Sequence, residues 1–337
     1  MRRSYWPITI AVAFATFALA GCLERKEKIT IHADGSAEIT ATFRGDQSDL
    51  TTGDALPTDA SGWKTRETRE TDKDGNEKVT REAALRIPAG GEWPAGFAPQ
   101  GSAASEIALE FPTGLMIETR PDGAYYHFRR VYQARPHARF EYAREDLQKK
   151  LDEIAGTEPE QLTPQQRQTL VDALRQFEAV KQTEFVLSAA RAMDDWPQDR
   201  VLKARQVVAD YFAHIDTQRV AEKLGEPASE ARDRAIQEFA EDMIGGVKNV
   251  LIQEMQSRGA GTVEQERMLA AYDREATKHE ISEDIGDDFF EITIVMPGEV
   301  IAHNGDATED GAIKWQFPGK ALMDRDQEVM VTSRVKK

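Results

Sequence analysis

The feature that most constrains this chain is a double change of hydrophobic period. Alternation of apolar and polar residues runs from Ile29 to about Tyr142, gives way to spacings of three and four, and returns after Asp288. Period two places one face of a strand inward, and period 3.6 places one stripe of a helix inward. Strands, then helices, then strands suggest either a β domain interrupted by a helical insertion or three units in a row. The 49 residues of 289–337 are few for a sheet of their own, which favours the insertion. The expected fold is therefore α+β: an antiparallel β domain built from 29–142 plus 289–337, with a four- or five-helix antiparallel insertion at 143–288. The ends of that insertion should then lie close together.

Turn chemistry places the strands. Ile29–Phe43 alternates on both sides of Asp34-Gly35, a hairpin signal. Further pairs are expected at 63–71 with 78–87, and at 115–120 with 124–133. C-terminal strands are expected at 289–296, 299–303, 312–317 and 327–333. The Gly-, Pro- and Ser-rich stretches 46–62 and 88–105 read as loops. In the middle block a short helix is expected near 143–155. Thr163-Pro164-Gln165-Gln166 carries a capping residue, a first-turn proline and a Gln at the third position, followed by Leu170, Leu174 and Phe177. Pro197 opens a helix with Val201, Val208, Phe212 and Ile215 inward, stopping near Gly225. Pro227 opens another with Ala235, Phe239, Met243 and Val247 inward, and Thr262-x-x-Gln265 caps the last. Gly245-Gly246 inside a helix, at about 1 kcal/mol per Gly against Ala, marks a kink or a close helix contact.

The first 22 residues carry the strongest motif. Arg2 and Arg3 form a positive region, Trp6–Ala20 is uncharged and mostly apolar, and Leu19-Ala20-Gly21-Cys22 ends at the sole cysteine. A spanning helix would use the short end of the roughly 17–25 residues required, with Pro7 inside it. An ordinary secretory signal would leave one odd, reactive thiol. The segment resembles the lipobox of bacterial lipoproteins. That resemblance implies a signal peptide at 1–21, cleavage between Gly21 and Cys22, and a diacylglyceryl thioether on Cys22, the new amine often acylated (palmitate being a usual chain). Leu23 in place of the inner-membrane-retaining aspartate implies the outer membrane where two membranes exist. Glu24–Lys28 then reads as part of an acylated tether, 22–28, whose six residues after the cysteine reach at most about 20 Å.

Removal of 1–21 from 337 residues leaves 316, and loss of Arg2 and Arg3 takes the formal charge from −16 to −18. An acidic surface of this kind argues against nucleic acid as a partner and against a membrane-hugging basic face, and suits a solvated protein that stands off anionic headgroups. No intrachain disulfide can form, so stability rests on apolar cores, which 40% hydrophobic residues supply.

No catalytic, cofactor or metal residues emerge. Asp72-Lys73-Asp74-Gly75-Asn76-Glu77 has a calcium-loop flavour, but its Gly comes too early and a hairpin turn explains it better. His32, His127, His137, His214, His279 and His303 are scattered singly, with His32 and His303 able to meet only if terminal strands pair. Tyr125–Tyr132 reads as a strand with one packed and one solvated face, the solvated one a weaker candidate surface for a glycan or lipid headgroup. The acid pairs Asp194-Asp195 and Asp287-Asp288 read as caps and solubilising charge. No nucleophile elbow or phosphate-cradling loop is present.

Ile292–Gly305 followed by Asp310–Trp315, with the Asp34-Gly35 hairpin, is similar to the closing and opening hairpins of LppM-type lipoprotein domains. That resemblance implies an uncharacterised extracytoplasmic module and carries over no catalytic residue; the helical block departs from it. The expected function is a lipid-anchored envelope protein, not an enzyme, held to the membrane by acyl chains and engaging an unknown envelope protein or component. The alternatives are a binding protein for a lipid or small apolar ligand between sheet and helices, and, more weakly, a hydrolase assembled only in three dimensions.

Overall fold

The computed structural model describes residues 23–71, 77–135, 138–154, 157–308, 310–323 and 325–337, and of residues 52 and 138–142 the backbone alone. In chain order the elements are β1 (Glu24–Ile31), β2 (Ala37–Gly45), the one-turn helix α1 (Asp49–Thr52), β3 (Lys64–Thr71), β4 (Glu77–Ile87), β5 (Thr113–Arg120) and β6 (Gly123–Tyr132). There follow α2 (Ala138–Glu153), α3 (Pro164–Arg191), α4 (Gln198–Ala213), α5 (Gln218–Leu224), α6 (Glu230–Ser257) and α7 (Thr262–Asp287). The chain ends in β7 (Phe289–Val295), β8 (Glu299–His303), β9 (Asp306–Ala307), β10 (Ile313–Pro318) and β11 (Gln327–Lys336). The described residues of 20–136 and 277–337 form one compact unit, and those of 137–276 the other.

The β unit joins both terminal segments. Its larger sheet has the order β3-β4-β2-β1-β7-β10-β9, and its smaller sheet β5-β6-β11-β8. β1 lies parallel beside β7, with Glu24 opposite Phe289 and Thr30 opposite Val295. A parallel pair cannot be closed by a tight turn, and here everything from β2 to α7 forms the crossover. The other pairings are antiparallel, as alternation and turns require. The first hairpin turns where Asp34-Gly35 predicts. Gly35 adopts φ +84°, open to glycine at no steric cost, and Asp34 Oδ1 accepts the Ser36 N–H at 2.9 Å. The inward faces of both sheets share one core, with Ile29, Ile39, Phe43, Phe111, Phe128, Ile292, Ile294 and Val331 buried. The two stretches read as loops feed that core as well: Leu50, Leu56 and Phe97 are buried, and Phe97 meets Phe43 edge-on at 5.2 Å.

The tether reading is corrected here. β1 starts at Glu24, five residues before Ile29, so the charged run Glu24–Lys28 is strand and not spacer. Its alternation is complete, with Leu23, Arg25, Glu27, Ile29 and Ile31 all buried. Charge hid the period, because Arg25 and Glu27 occupy inward positions where an apolar residue is expected.

The helical unit packs around Val186, Ala190, Val208, Phe212, Val247, Leu251, Met255 and Met268. Thr163 caps α3 through the expected reciprocal box, its Oγ1 accepting the Gln166 N–H at 3.2 Å while Gln166 Oε1 accepts the Thr163 N–H at 2.9 Å. The helix read from Pro197 to Gly225 is instead two, α4 and α5, broken after His214. α6 is opened by Ser229, whose hydroxyl accepts the Arg232 N–H at 3.2 Å, and not by Pro227, and its first inward apolar residue is Ile236 in place of Ala235. Gly246 marks a close helix contact: a Cβ there would lie 2.0 Å from the Tyr211 hydroxyl of α4. That hydroxyl caps α6 backbone carbonyls at Asp242 and Met243, each at 3.2 Å.

Candidate functional site

Of the residues singled out by the leader motif, Gly21 and Cys22 lie outside the described residues. The next residue already belongs to the core of the β unit. Leu23 is 1% exposed, its N–H donates to Asp288 Oδ1 at 3.2 Å, and its carbonyl accepts the Phe289 N–H at 3.1 Å. A carboxylate and a backbone N–H at the start of β7 thus clamp Leu23.

Behind that clamp lies a charged interior. Arg25, 2% exposed, donates through Nε to Asp288 Oδ2 at 2.6 Å and through Nη1 to Asp54 Oδ2 at 2.9 Å. Its guanidinium also lies 5.3 Å from the centre of the Phe290 ring. Asp54 Oδ1 accepts the Leu109 N–H at 2.8 Å, so one cation holds β1, the segment after α1, the segment before β5 and the start of β7. Two strand positions on, Glu27 accepts from Arg130 Nη1 at 2.6 Å and from the Tyr132 hydroxyl at 2.8 Å, linking the larger sheet to the smaller. Arg130 Nε donates to Thr113 Oγ1 at 2.8 Å and its guanidinium covers the Phe111 ring at 4.6 Å.

The third buried guanidinium of the β unit, Arg135, hydrogen-bonds uncharged oxygens among the described residues. It donates to the carbonyls of Ala108 (2.8 Å), Ile107 (2.7 Å) and Lys278 (3.1 Å) and to Ser282 Oγ (2.7 Å). It thereby fastens the entry to the helical block against its exit at α7, within the β unit. Burial lowers the Arg135 pKa.

Electrostatics around Arg25 are unbalanced toward acid. Burial, reinforced by neighbouring carboxylates, pushes Asp284 up to about 6. Burial pushes Asp288 up to about 7 against the pull of Arg25, while the two carboxylates facing Arg25 hold its proton more firmly than usual. Desolvation disfavours the charged form of each acid, and one guanidinium cannot fully offset Asp54, Asp284 and Asp288 together. Asp288 is therefore a core ligand of Arg25, and the reading of Asp287-Asp288 as solubilising charge holds only for the exposed Asp287.

The remaining candidates do not converge. Residues 72–76 of the acidic turn and His137 lie outside the described residues, and Glu77 is exposed and bonded to Arg69 at 2.8 Å. His32 opens the turn after β1, while His303 ends β8 in the other sheet. His127 Nδ1 pairs with Thr332 Oγ1 at 3.2 Å on the outward face of β6, opposite the buried Tyr126, Phe128 and Arg130. Asp195 is exposed and paired with Arg267. Among the described residues no group of three or more His, Cys, Asp or Glu is arranged to hold a metal. Two hollows of about 300 Å³ open in the helical unit, one lined by Leu187, Trp196 and Val201, the other by Arg175, Thr183 and Phe212.

No protein-family model matches the chain. No characterised protein matches it in sequence. Among solved structures it is similar to the NMR structure of the folded domain of Mycobacterium tuberculosis LppM, at 12% identity over 94% of this chain and 92% of that one. The TM-score of 0.29 is too low for that likeness to carry an argument.

Proposed function

We propose that the chain is a bacterial lipoprotein of the cell envelope, acylated on Cys22 after removal of residues 1–21, that acts through its surfaces and not by catalysis. The observation that carries this reading is the Leu19-Ala20-Gly21-Cys22 motif, which ends at the sole cysteine. Cleavage before Cys22 leaves the acylated residue next to Leu23, which is 1% exposed and held by Asp288 and Phe289. No helix among the described residues is long and apolar enough to cross a membrane, so the membrane attachment rests on acyl chains. Two or three such chains, at about 0.8 kcal/mol per buried methylene, hold a protein where one chain does not. The non-catalytic part rests on how the buried charges are used: Arg25, Glu27, Asp54, Arg130 and Asp288 are engaged with one another inside the core.

Intact-mass measurement of natively expressed protein tests the reading. The expected mass lacks residues 1–21 and carries acyl additions on Cys22, and the protein fractionates with membranes. Cys22→Ser should release a folded chain or arrest it with its leader. An unmodified thiol on an uncleaved chain would refute the proposal.

A further inference from the structure

The outer face of the larger sheet points to a use for the missing spacer. None of its residues on β1, β2, β7 or β10 is buried; Lys26, Lys28 and Arg44 are exposed, and Lys314 partly so. Antiparallel sheets often leave one face in water, so bareness alone decides nothing. Three further observations do.

The first is distance. Leu23 is held on the fold by Asp288 and Phe289, and consecutive Cα atoms are about 3.8 Å apart, so acyl chains on Cys22 would bring the start of β1 to the headgroup layer. The second is an apolar contact at that same edge. Phe289, opposite Glu24 across the sheet, turns away from the core and is 39% exposed, whereas Phe290 beside it is buried. The third is charge. The chain as a whole carries 43 Lys and Arg against 59 Asp and Glu. On this face each carboxylate of the four strands has a cation beside it: Glu24 with Lys26 at 3.2 Å, Glu291 with Lys314 at 2.9 Å, Glu38 with Arg86 at 3.5 Å. The four strands together present Lys26, Lys28, Arg44 and Lys314 against Glu24, Glu38 and Glu291, a balance of +1 on this face, with Arg86 and Glu82 of β4 and Asp306 of β9 at its edges.

We infer that this face, from Phe289 along β1, β2, β7 and β10, rests on the anionic headgroups of the membrane that holds the acyl chains. The inference rests on the lipoprotein reading, since without the anchor nothing brings the face to a bilayer. Phe289 would enter the interfacial layer, and Lys28 and Arg44 would meet lipid phosphates. A basic residue near an anionic surface is drawn to it within a Debye length, and salt weakens the attraction.

Amine acetylation of the native protein in vesicles tests this, with intact mass taken on the same sample. Lys26, Lys28 and Lys314 should acetylate roughly fivefold more slowly in phosphatidylglycerol vesicles than in detergent, as expected for about one basic residue's worth of surface attraction. Lys336, on the smaller sheet and 66% exposed, should keep its rate. Protection should shrink in phosphatidylcholine vesicles and in Lys28→Glu/Arg44→Glu protein, whose substitutions sit at exposed positions. An acylated sample with no protection, or with equal protection on neutral lipid, overturns the headgroup assignment. Protection in native envelopes but not in pure lipid overturns it too, and gives the face to a protein partner. An unacylated sample overturns both this inference and the reading beneath it.

Discussion

The two units reach a buried core by different means. The helical unit buries Val186, Val208, Phe212, Val247 and Leu251; its buried Gln182 accepts the Tyr272 hydroxyl and donates to Glu178 at 3.1 Å, and its buried Arg232 pairs with Asp233 at 3.1 Å and Glu160 at 3.6 Å. The β unit buries Arg25, Glu27, Asp54, Arg130, Arg135 and Asp288 among its aromatic rings. A helix stripe of apolar residues packs against any complementary stripe. A buried charge is tolerated only where a partner from elsewhere in the chain arrives at hydrogen-bonding distance. The β unit is assembled from two segments separated by the helical block, and its ion pairs join residues up to 263 positions apart. Its polar interior therefore specifies which strands meet.

The largest expected effect lies in that interior. Arg25→Ala strands Asp54 and Asp288 without their cation and should cost about 3–5 kcal/mol in denaturant unfolding. Arg25→Met combined with Asp54→Asn and Asp288→Asn should recover much of it. A loss under 1 kcal/mol for Arg25→Ala would show that the network is not what fastens the unit.

The matching test in the helical unit is smaller. Gly246→Ala drives a methyl group onto Tyr211 and should cost about 1–3 kcal/mol, with part regained when Tyr211 is cut to Leu. Smaller again, Thr163→Ala removes the cap of α3 and should cost about 1 kcal/mol, read by thermal unfolding.

A last test separates the units by pH. Asp284 and Asp288 hold their protons more tightly folded than unfolded, so protonation favours the fold and that stabilisation fades as pH rises through about 6 and about 7. Stability of the β unit should rise as pH falls from about 8 to about 5. Below that window the trend reverses, because exposed acids such as Glu67 and Asp122, whose pKa values are lowered by Arg81 and Tyr125 respectively, lose their partners on protonation. Asp284→Asn should flatten the rise; an unchanged slope in that variant would assign it elsewhere.

Much of the architecture is legible in residue order. Asp34-Gly35, the Thr163 capping box and the return of alternation at Phe289 each state local geometry in local chemistry, and the structure follows all three. The misreadings share one cause. Glu24–Lys28 looked like solvated tether and Asp288 like a solubilising charge, since a charged side chain is ordinarily taken to face water. The signal that could have found them is register: extending the Ile29–Ile31 alternation backward puts Arg25 and Glu27 inward. The break after His214 and the start of α6 at Ser229 were hidden by apolar and proline signals that suited a longer or earlier helix equally well.

Sequence alone determined the order of elements, the turns, and the position of the motif that ends at Cys22, because each depends on neighbours within a few residues. Tertiary structure decided that β1 runs parallel to β7, that Arg25 meets Asp54 and Asp288, and that Leu23 is already held in the core. Those outcomes depend on which distant segment supplies the compensating charge. Burial makes an uncompensated ion costly enough to exclude the alternatives, and no stretch of local sequence records where its partner will come from.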